Sequence, residues 1–254
     1  ANSLNVPTVN LGMSVGLDQI SAMLQRLGIP KAAITPVPAM LLGAIDLTPV
    51  EVAQEYQTIA SGGNRAPLSA VRSVIAEDGT VLYQSFPQAE RMVPAQAAYL
   101  TLYAMQQGVA RGTSRSLSVK FSKYTLAAKT GTTNDSMDAW FAGYHPSLVA
   151  VVWMGYDTPR NMGSRETGGG LSLPIWIRFM DVALKNTPIE EPLPPTGIIQ
   201  VGNEWYFEEF GPGKGMTNLK SANANSEAES DRAGSSPLNP SSDEKKSILD
   251  LFLN

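Results

Sequence analysis

The sequence predicts a mixed α/β layer fold of the α+β type, on three observations. The first half carries apolar residues at helical spacing, short strands follow Tyr124 with a tight connection between two of them, and a last helix opens near Pro174. With 254 residues and 43% hydrophobic content, the chain is long enough to bury a sizeable core.

The elements follow in order. Leu17, Ile20, Leu24 and Leu27 share one helix face, and Gly28 with Pro30 ends the run. Thr48 and Glu51 make a capping-box pattern with Pro49 at the first helical position, and Gly62-Gly63 closes that helix. A hairpin is expected from Ala70 to Ala76 and Val81 to Tyr83 around an Asp78-Gly79 turn. Pro94 opens a further helix, expected to stop at Gly108. Strands are expected over Leu126 to Lys129, Ala139 to Tyr144 and Leu148 to Gly155, the last two joined by His145-Pro146-Ser147 and so antiparallel. Leu148 to Met154 is apolar on both faces and reads as a central, covered strand. Gly168 to Gly170 leads into the closing helix, with Ile175, Phe179 and Val182 on one face and Trp176, Met180 and Ala183 on another. Between Asn218 and Lys246 the only large apolar residues are Leu219 and Leu238, too few to offset the ordering entropy. The domain reading is therefore a folded part over 1–210 and a flexible, largely disordered tail over 211–254, with a short apolar end at Ile248 to Leu253.

Composition excludes several chemistries. A net charge of −4 argues against nucleic-acid binding. With no cysteine and one histidine, thiolate nucleophiles, disulfides and Cys/His zinc sites fall away, and no metal or cofactor is expected. His145 reads as a plain surface residue of a turn. Asp135 and Asp138 read as turn-solvating rather than as a catalytic pair, and the four tryptophans as packing residues. Gly211-Pro212-Gly213-Lys214-Gly215 lacks the spacing and context of a phosphate loop. The apolar runs are far shorter than the ~18 residues a membrane span needs.

Two strings carry chemistry. Lys129-Thr130-Gly131-Thr132 follows a short strand. There the ammonium supplies positive charge, the hydroxyls of Thr130 and Thr132 can donate to a carboxylate, and Gly131 permits close approach of a ligand backbone. The Thr132 N–H could face a developing oxyanion. Ser3-Leu4-Asn5 is the second; the same Ser-x-Asn pattern recurs at Ser221-Ala222-Asn223, so it needs a partner, and Lys129 is one. A serine held by a lysine relays a proton without imidazole, while an asparagine amide grips a carbonyl.

Together these strings resemble the third and second motifs of penicillin-binding proteins. Their surroundings do too: Asn5-Val6-Pro7-Thr8-Val9 before a helix, Leu47-Thr48-Pro49-Val50-Glu51, Ser61-Gly62-Gly63 and Asp138-Ala139-Trp140-Phe141-Ala142-Gly143 are similar to class A, bifunctional members of 1A/1B type from Gram-negative bacteria. The likeness runs over about residues 1 to 210.

The resemblance implies a penicillin-binding transpeptidase / serine β-lactamase-like fold, a five-stranded antiparallel sheet flanked by helices, of which this chain holds the last three strands. It implies a D,D-transpeptidase that cross-links peptidoglycan by serine acyl transfer on D-Ala-D-Ala stem peptides. Ser3 is then the proton-shuttling serine, Asn5 orients the donor peptide, Lys129 sets the field beside Ser3, and Thr130, Gly131 and Thr132 form the substrate-binding ledge. The implied partners are peptidoglycan stem peptides, β-lactam antibiotics and cell-wall synthesis proteins. The implied location is the periplasmic face of the inner membrane, for a longer, anchored parent that is also a glycosyltransferase. The nucleophile motif Ser-x-x-Lys is expected upstream of Ser3, since the only instance here, Ser242-Asp243-Glu244-Lys245, lies in the tail. The chain is accordingly expected to be the C-terminal part of the domain, fold-incomplete at its N-terminus and inactive alone. A serine β-lactamase-like hydrolase and a non-catalytic module binding stem peptides or a partner protein stay open as alternatives.

Overall fold

The computed structural model describes residues 2–163 and 166–214. Helix α1 (Asn5–Val15) begins at Asn5 itself, earlier than the sequence suggests, because Pro7 falls within the first turn, where its missing N–H costs nothing. Helix α2 (Leu17–Leu27) ends as expected on Gly28, whose φ of +113° suits a residue without a Cβ. Helix α3 (Pro49–Ala60) starts on a full capping box: the Thr48 hydroxyl accepts from the Glu51 N–H, and a Glu51 carboxylate oxygen accepts from the Thr48 N–H at 2.7 Å.

Strand β1 (Asn64–Arg65) pairs antiparallel with β4 (Glu90–Arg91), and between them lies a hairpin of β2 (Ser73–Ile75) and β3 (Val81–Gln84). The paired ends are pinched together at Gly63, whose φ is +94° and where a Cβ would stand 2.2 Å from the Val93 carbonyl oxygen. In the hairpin turn the Asp78 side chain accepts from the Thr80 N–H at 2.9 Å, and Gly79 takes a positive φ.

Helix α4 (Ala95–Arg111) runs past Gly108 to Gly112. Gly108 is an interior residue, and a Cβ there would lie 3.5 Å from the Ala128 carbonyl oxygen. The glycine read as a stop is thus where α4 lies closely against the following sheet. After α5 (Ser116–Lys120) come β5 (Ala127–Thr132), β6 (Asp138–His145) and β7 (Leu148–Gly155), an antiparallel sheet in the order β5-β6-β7. The central strand is β6, whose last five residues are all buried, whereas β7 lies at the edge with every residue only partly covered. The expectation of a central 148–154 strand is therefore corrected: its two apolar faces are covered by helices on either side, but among the described residues only one of its edges is paired.

The sheet is a middle layer. One face packs Ala127 and Tyr144 against α3 and α4, through Tyr56, Ile59 and Leu102. The other packs Ala128 and Phe141 against α6 (Leu173–Ala183), through Trp176 and Met180. Trp176 is fully buried and its indole N–H donates to the Ala150 carbonyl at 3.0 Å. On the far side of α6, Ile175, Phe179 and Val182 stay exposed. A second hairpin, β8 (Ile198–Val201) and β9 (Glu204–Phe207), turns on Gly202 and is new relative to the sequence reading. It rests on α4, where Trp205 meets Tyr99 edge-on with ring centres 5.4 Å apart. Mixed helices and antiparallel strands are thus as expected, three of those strands forming the sheet. Of the proposed tail, 211–214 are described, as a turn in which the Lys214 N–H donates to the Gly211 carbonyl; the rest of it, with the second Ser-x-Asn, the Ser-x-x-Lys and the apolar end 248–253, lies outside the described residues.

His145 is not a surface residue. It is fully buried at the end of β6, edge-on to Tyr124 at 5.6 Å between ring centres. Its Nδ1 accepts from the Ser147 N–H, and its Nε2 has no partner among the described residues. Burial lowers its pKa, partly countered by Glu190.

Candidate active site

Strand β5 carries the Lys129-Thr130-Gly131-Thr132 string inside the strand rather than after it, in register with Ala142, Phe141, Trp140 and Ala139 of β6. Two-residue alternation sends Thr130 and Thr132 to the α6 face of the sheet and Lys129 to the α3/α4 face. The ledge read from sequence is thus split by the pleat. Its hydroxyls stand on one side and its ammonium on the other, with the strand edge between them.

Each hydroxyl is anchored. Thr130 Oγ1 donates to Thr113 Oγ1 at 3.3 Å, and Thr132 Oγ1 accepts from the Gly168 N–H at 3.0 Å. The Gly168–Ser172 stretch, a single π-helical turn leading into α6, lies directly on the ledge. A Cβ at Gly168 would stand 2.5 Å from the Gly131 carbonyl oxygen and 2.3 Å from that of Trp140, so glycine is required by close approach. The helix lead-in read from sequence is present, and it also packs against the site. The Thr167 hydroxyl caps the turn by accepting from the Gly170 N–H.

The Lys129 ammonium donates to the neighbouring Thr130 carbonyl at 2.6 Å. The side chain is exposed, yet the strand and helix packed beside it remove part of its hydration and lower its pKa. Such a lysine holds its proton less tightly than one in free solution, which suits a group exchanging a proton with a hydroxyl.

Ser3 and Asn5 stand at the start of α1, both exposed and without a side-chain hydrogen bond among the described residues. Ser3 has a φ of +51°, rare for a residue with a side chain and a mark of local strain. Helix α1 packs chiefly on α2 and the 38–42 turn, while β5 packs on α4 and β6. No hydrogen bond joins Ser3 or Asn5 to Lys129 among the described residues.

Thr113, in the loop between α4 and α5, was not singled out by sequence reasoning. A Gly112-Thr113 pair after a helix looks like any turn, and only the non-local contact with Thr130 marks it. Asp138 also differs from its expected solvating role: its carboxylate accepts from the Trp153 indole N–H at 2.7 Å across the sheet. Among the described residues no cluster of His, Asp and Glu could hold a metal ion, and no helix is long and apolar enough to cross a membrane.

Comparison with known proteins shows the family and the fold. The model of the penicillin-binding protein transpeptidase domain matches residues 1–181, and the chain belongs to that family. Penicillin-binding protein 1B of Escherichia coli K12 is 56% identical over 204 residues, which cover 80% of this chain and 24% of that protein. The chain thus spans about a quarter of the length of such relatives. The crystal structure of penicillin-binding protein 1A from Haemophilus influenzae superposes with a TM-score of 0.78 over 85% of this chain and 40% of that one; at 23% identity it speaks for the fold. PonA1 from Mycobacterium tuberculosis, solved in complex with penicillin V, is 26% identical with a TM-score of 0.58, covering 70% of this chain and 52% of that one.

Proposed function

We propose that β5, the Gly168–Ser172 turn and the start of α1 are parts of the cleft of a peptidoglycan D,D-transpeptidase. The observation carrying this reading is the β5 edge itself, where two hydroxyls are held in place and a partly desolvated ammonium stands one residue away. The Thr132 hydroxyl, which accepts from the Gly168 N–H and keeps its own proton to give, donates to the terminal carboxylate of a D-Ala-D-Ala stem peptide, or that of a penicillin; the Thr130 hydroxyl turns from Thr113 to join it, and Gly131 lets the ligand approach. Asn5 orients the donor peptide through its amide. Ser3 relays the proton, with Lys129 setting the field.

In the reaction a serine hydroxyl, from a Ser-x-x-Lys motif N-terminal to Ala1, attacks the carbonyl carbon of the penultimate D-Ala. The peptide C–N bond breaks, and the leaving D-Ala nitrogen takes the proton passed on by Ser3. The amine of a neighbouring strand then attacks the acyl ester, forming the cross-link amide and returning the serine hydroxyl. The longer protein is assigned to the periplasmic face of the inner membrane.

Labelling with a fluorescent penicillin tests the proposal. A protein extended N-terminally to include a Ser-x-x-Lys motif is expected to form a stable adduct on that serine, and the 254-residue chain alone is expected to form none. Lys129→Ala and Ser3→Ala in the extended protein should each slow labelling by about 100-fold or more, the scale of a lost acid–base or electrostatic contribution. Labelling indifferent to both substitutions overturns the proposal, and steady hydrolytic turnover of the penicillin assigns a β-lactamase activity instead.

A further inference from the structure

The helical part holds a cavity that takes no part in the chemistry above. It is open to solvent and measures about 480 Å³ between α1, α2, the 38–42 turn and α3, with Leu11 and Val15 on its wall about half exposed. Its walls are mostly aliphatic or sulfur-bearing, among them Leu11, Ile20, Leu24 and Met40, with one hydroxyl, that of Thr8, and one charged side chain, Glu55. Glu55 enters neither described ion pair. Helix α1 and the 38–42 turn carry no charge at all. The other charged groups on the surrounding elements are Asp18 and Arg26 at opposite ends of α2, Lys31 and Asp46 in the connection from α2 to α3, Glu51, which is held by Thr48, and Arg65, whose guanidinium donates to the Gln25 carbonyl. The Tyr56 phenol is the titratable neighbour that senses Glu55, and the Tyr144 phenol lies beyond it.

A carboxylate at an apolar cavity is poorly solvated, and the ligand that relieves it is a cation bringing little water of its own. An apolar body must accompany that cation, because apart from the Thr8 hydroxyl, whose proton is already given to the Leu4 carbonyl, the remaining side chains offer hydrocarbon and sulfur. We propose that this cavity is a binding site for a small alkyl ammonium compound, its cationic head on Glu55 and its chain among Leu11, Ile20, Leu24 and Met40. A neutral ligand of equal length gains the walls but not the ion pair, so the site discriminates by charge rather than by shape.

Calorimetric titration of the full 254-residue chain with hexylamine and with 1-hexanol at pH 8 tests this. Hexylamine is expected to bind about tenfold or more tightly than 1-hexanol, on the scale of a hydrogen bond to a charged group. Glu55→Gln should remove that gap while leaving 1-hexanol binding unchanged, and Glu55→Asp, which keeps the charge, should retain part of it. Leu24→Trp, which fills the cavity, should abolish both. Equal affinity of amine and alcohol, absence of binding by either, or a gap that survives Glu55→Gln overturns the assignment. Nα-acetyl-lysine amide, a mimic of a lysine presented by a peptide, should bind more weakly than hexylamine; tighter binding overturns the small-molecule assignment in favour of a protein segment.

Discussion

Replacing Glu55 by Gln should stabilise the protein at alkaline pH and do nothing in acid. Burial against apolar walls pushes the Glu55 carboxyl up from 4.5 to about 7. Between those values the folded protein holds a proton that the unfolded chain has released, so stability falls as pH climbs through that window and settles at its lower level above pH 7. At 1.36 kcal/mol per pH unit the full span corresponds to about 3 kcal/mol, which partial access of water reduces to about 2 kcal/mol. The amide is neutral throughout. The gain in unfolding free energy of Glu55→Gln over the parent should therefore be about 2 kcal/mol at pH 8 and vanish near pH 4.5. Urea unfolding followed by tryptophan fluorescence at a series of pH values measures it, and other titrating groups cancel in the difference. A difference independent of pH, or one that grows toward acid, would refute the argument.

Three further outcomes follow from the packing. Trp176→Ala removes the largest fully buried side chain among the described residues and takes the indole donor from the Ala150 carbonyl, so urea unfolding should show a loss of about 3–5 kcal/mol. His145 has its pKa depressed by burial, so its contribution is intact above pH 6.5 and drains away as pH drops below that. Unfolding curves of His145→Gln should accordingly be less acid-sensitive than the parent's, and an identical acid slope would contradict the assignment. Gly168→Ala would push a Cβ into two backbone carbonyls, so it should cost about 2 kcal/mol or more. Amide exchange should quicken at Thr132 and 168–172 before it does in β6; unaltered protection there would show that the turn is not pressed on the ledge.

What the sequence discloses here is mostly what short-range chemistry decides. The face of α2 and the Thr48–Glu51 cap depend on residues three or four apart, and both stand as read. The His145–Leu148 reversal is legible for the same reason. Features set by distant partners were not. Gly108 looks like a helix stop until β5 is laid against it, and β7 looks central until the strand order is known. His145 looks solvated because turns usually are, yet Tyr124 closes over it. At the site, residue types were readable and their sidedness was not: once the ledge runs inside a pleated strand, neighbouring positions point opposite ways. Thr113 needed the fold to be seen at all.

The pinch between Gly63 and Val93 has a consequence for how this architecture can vary. The stretch from 66 to 89 departs and comes back through one gate, and its hairpin shows mostly outward-facing residues. Its first residues, Ala66 and Leu68, hydrogen-bond to Gln54 and Gln57 of α3, whereas from 69 to 89 the described hydrogen bonds stay within the detour. Loop-closure entropy rises only slowly with such length, so this is where related chains can grow, shrink or redecorate without disturbing the layers beneath.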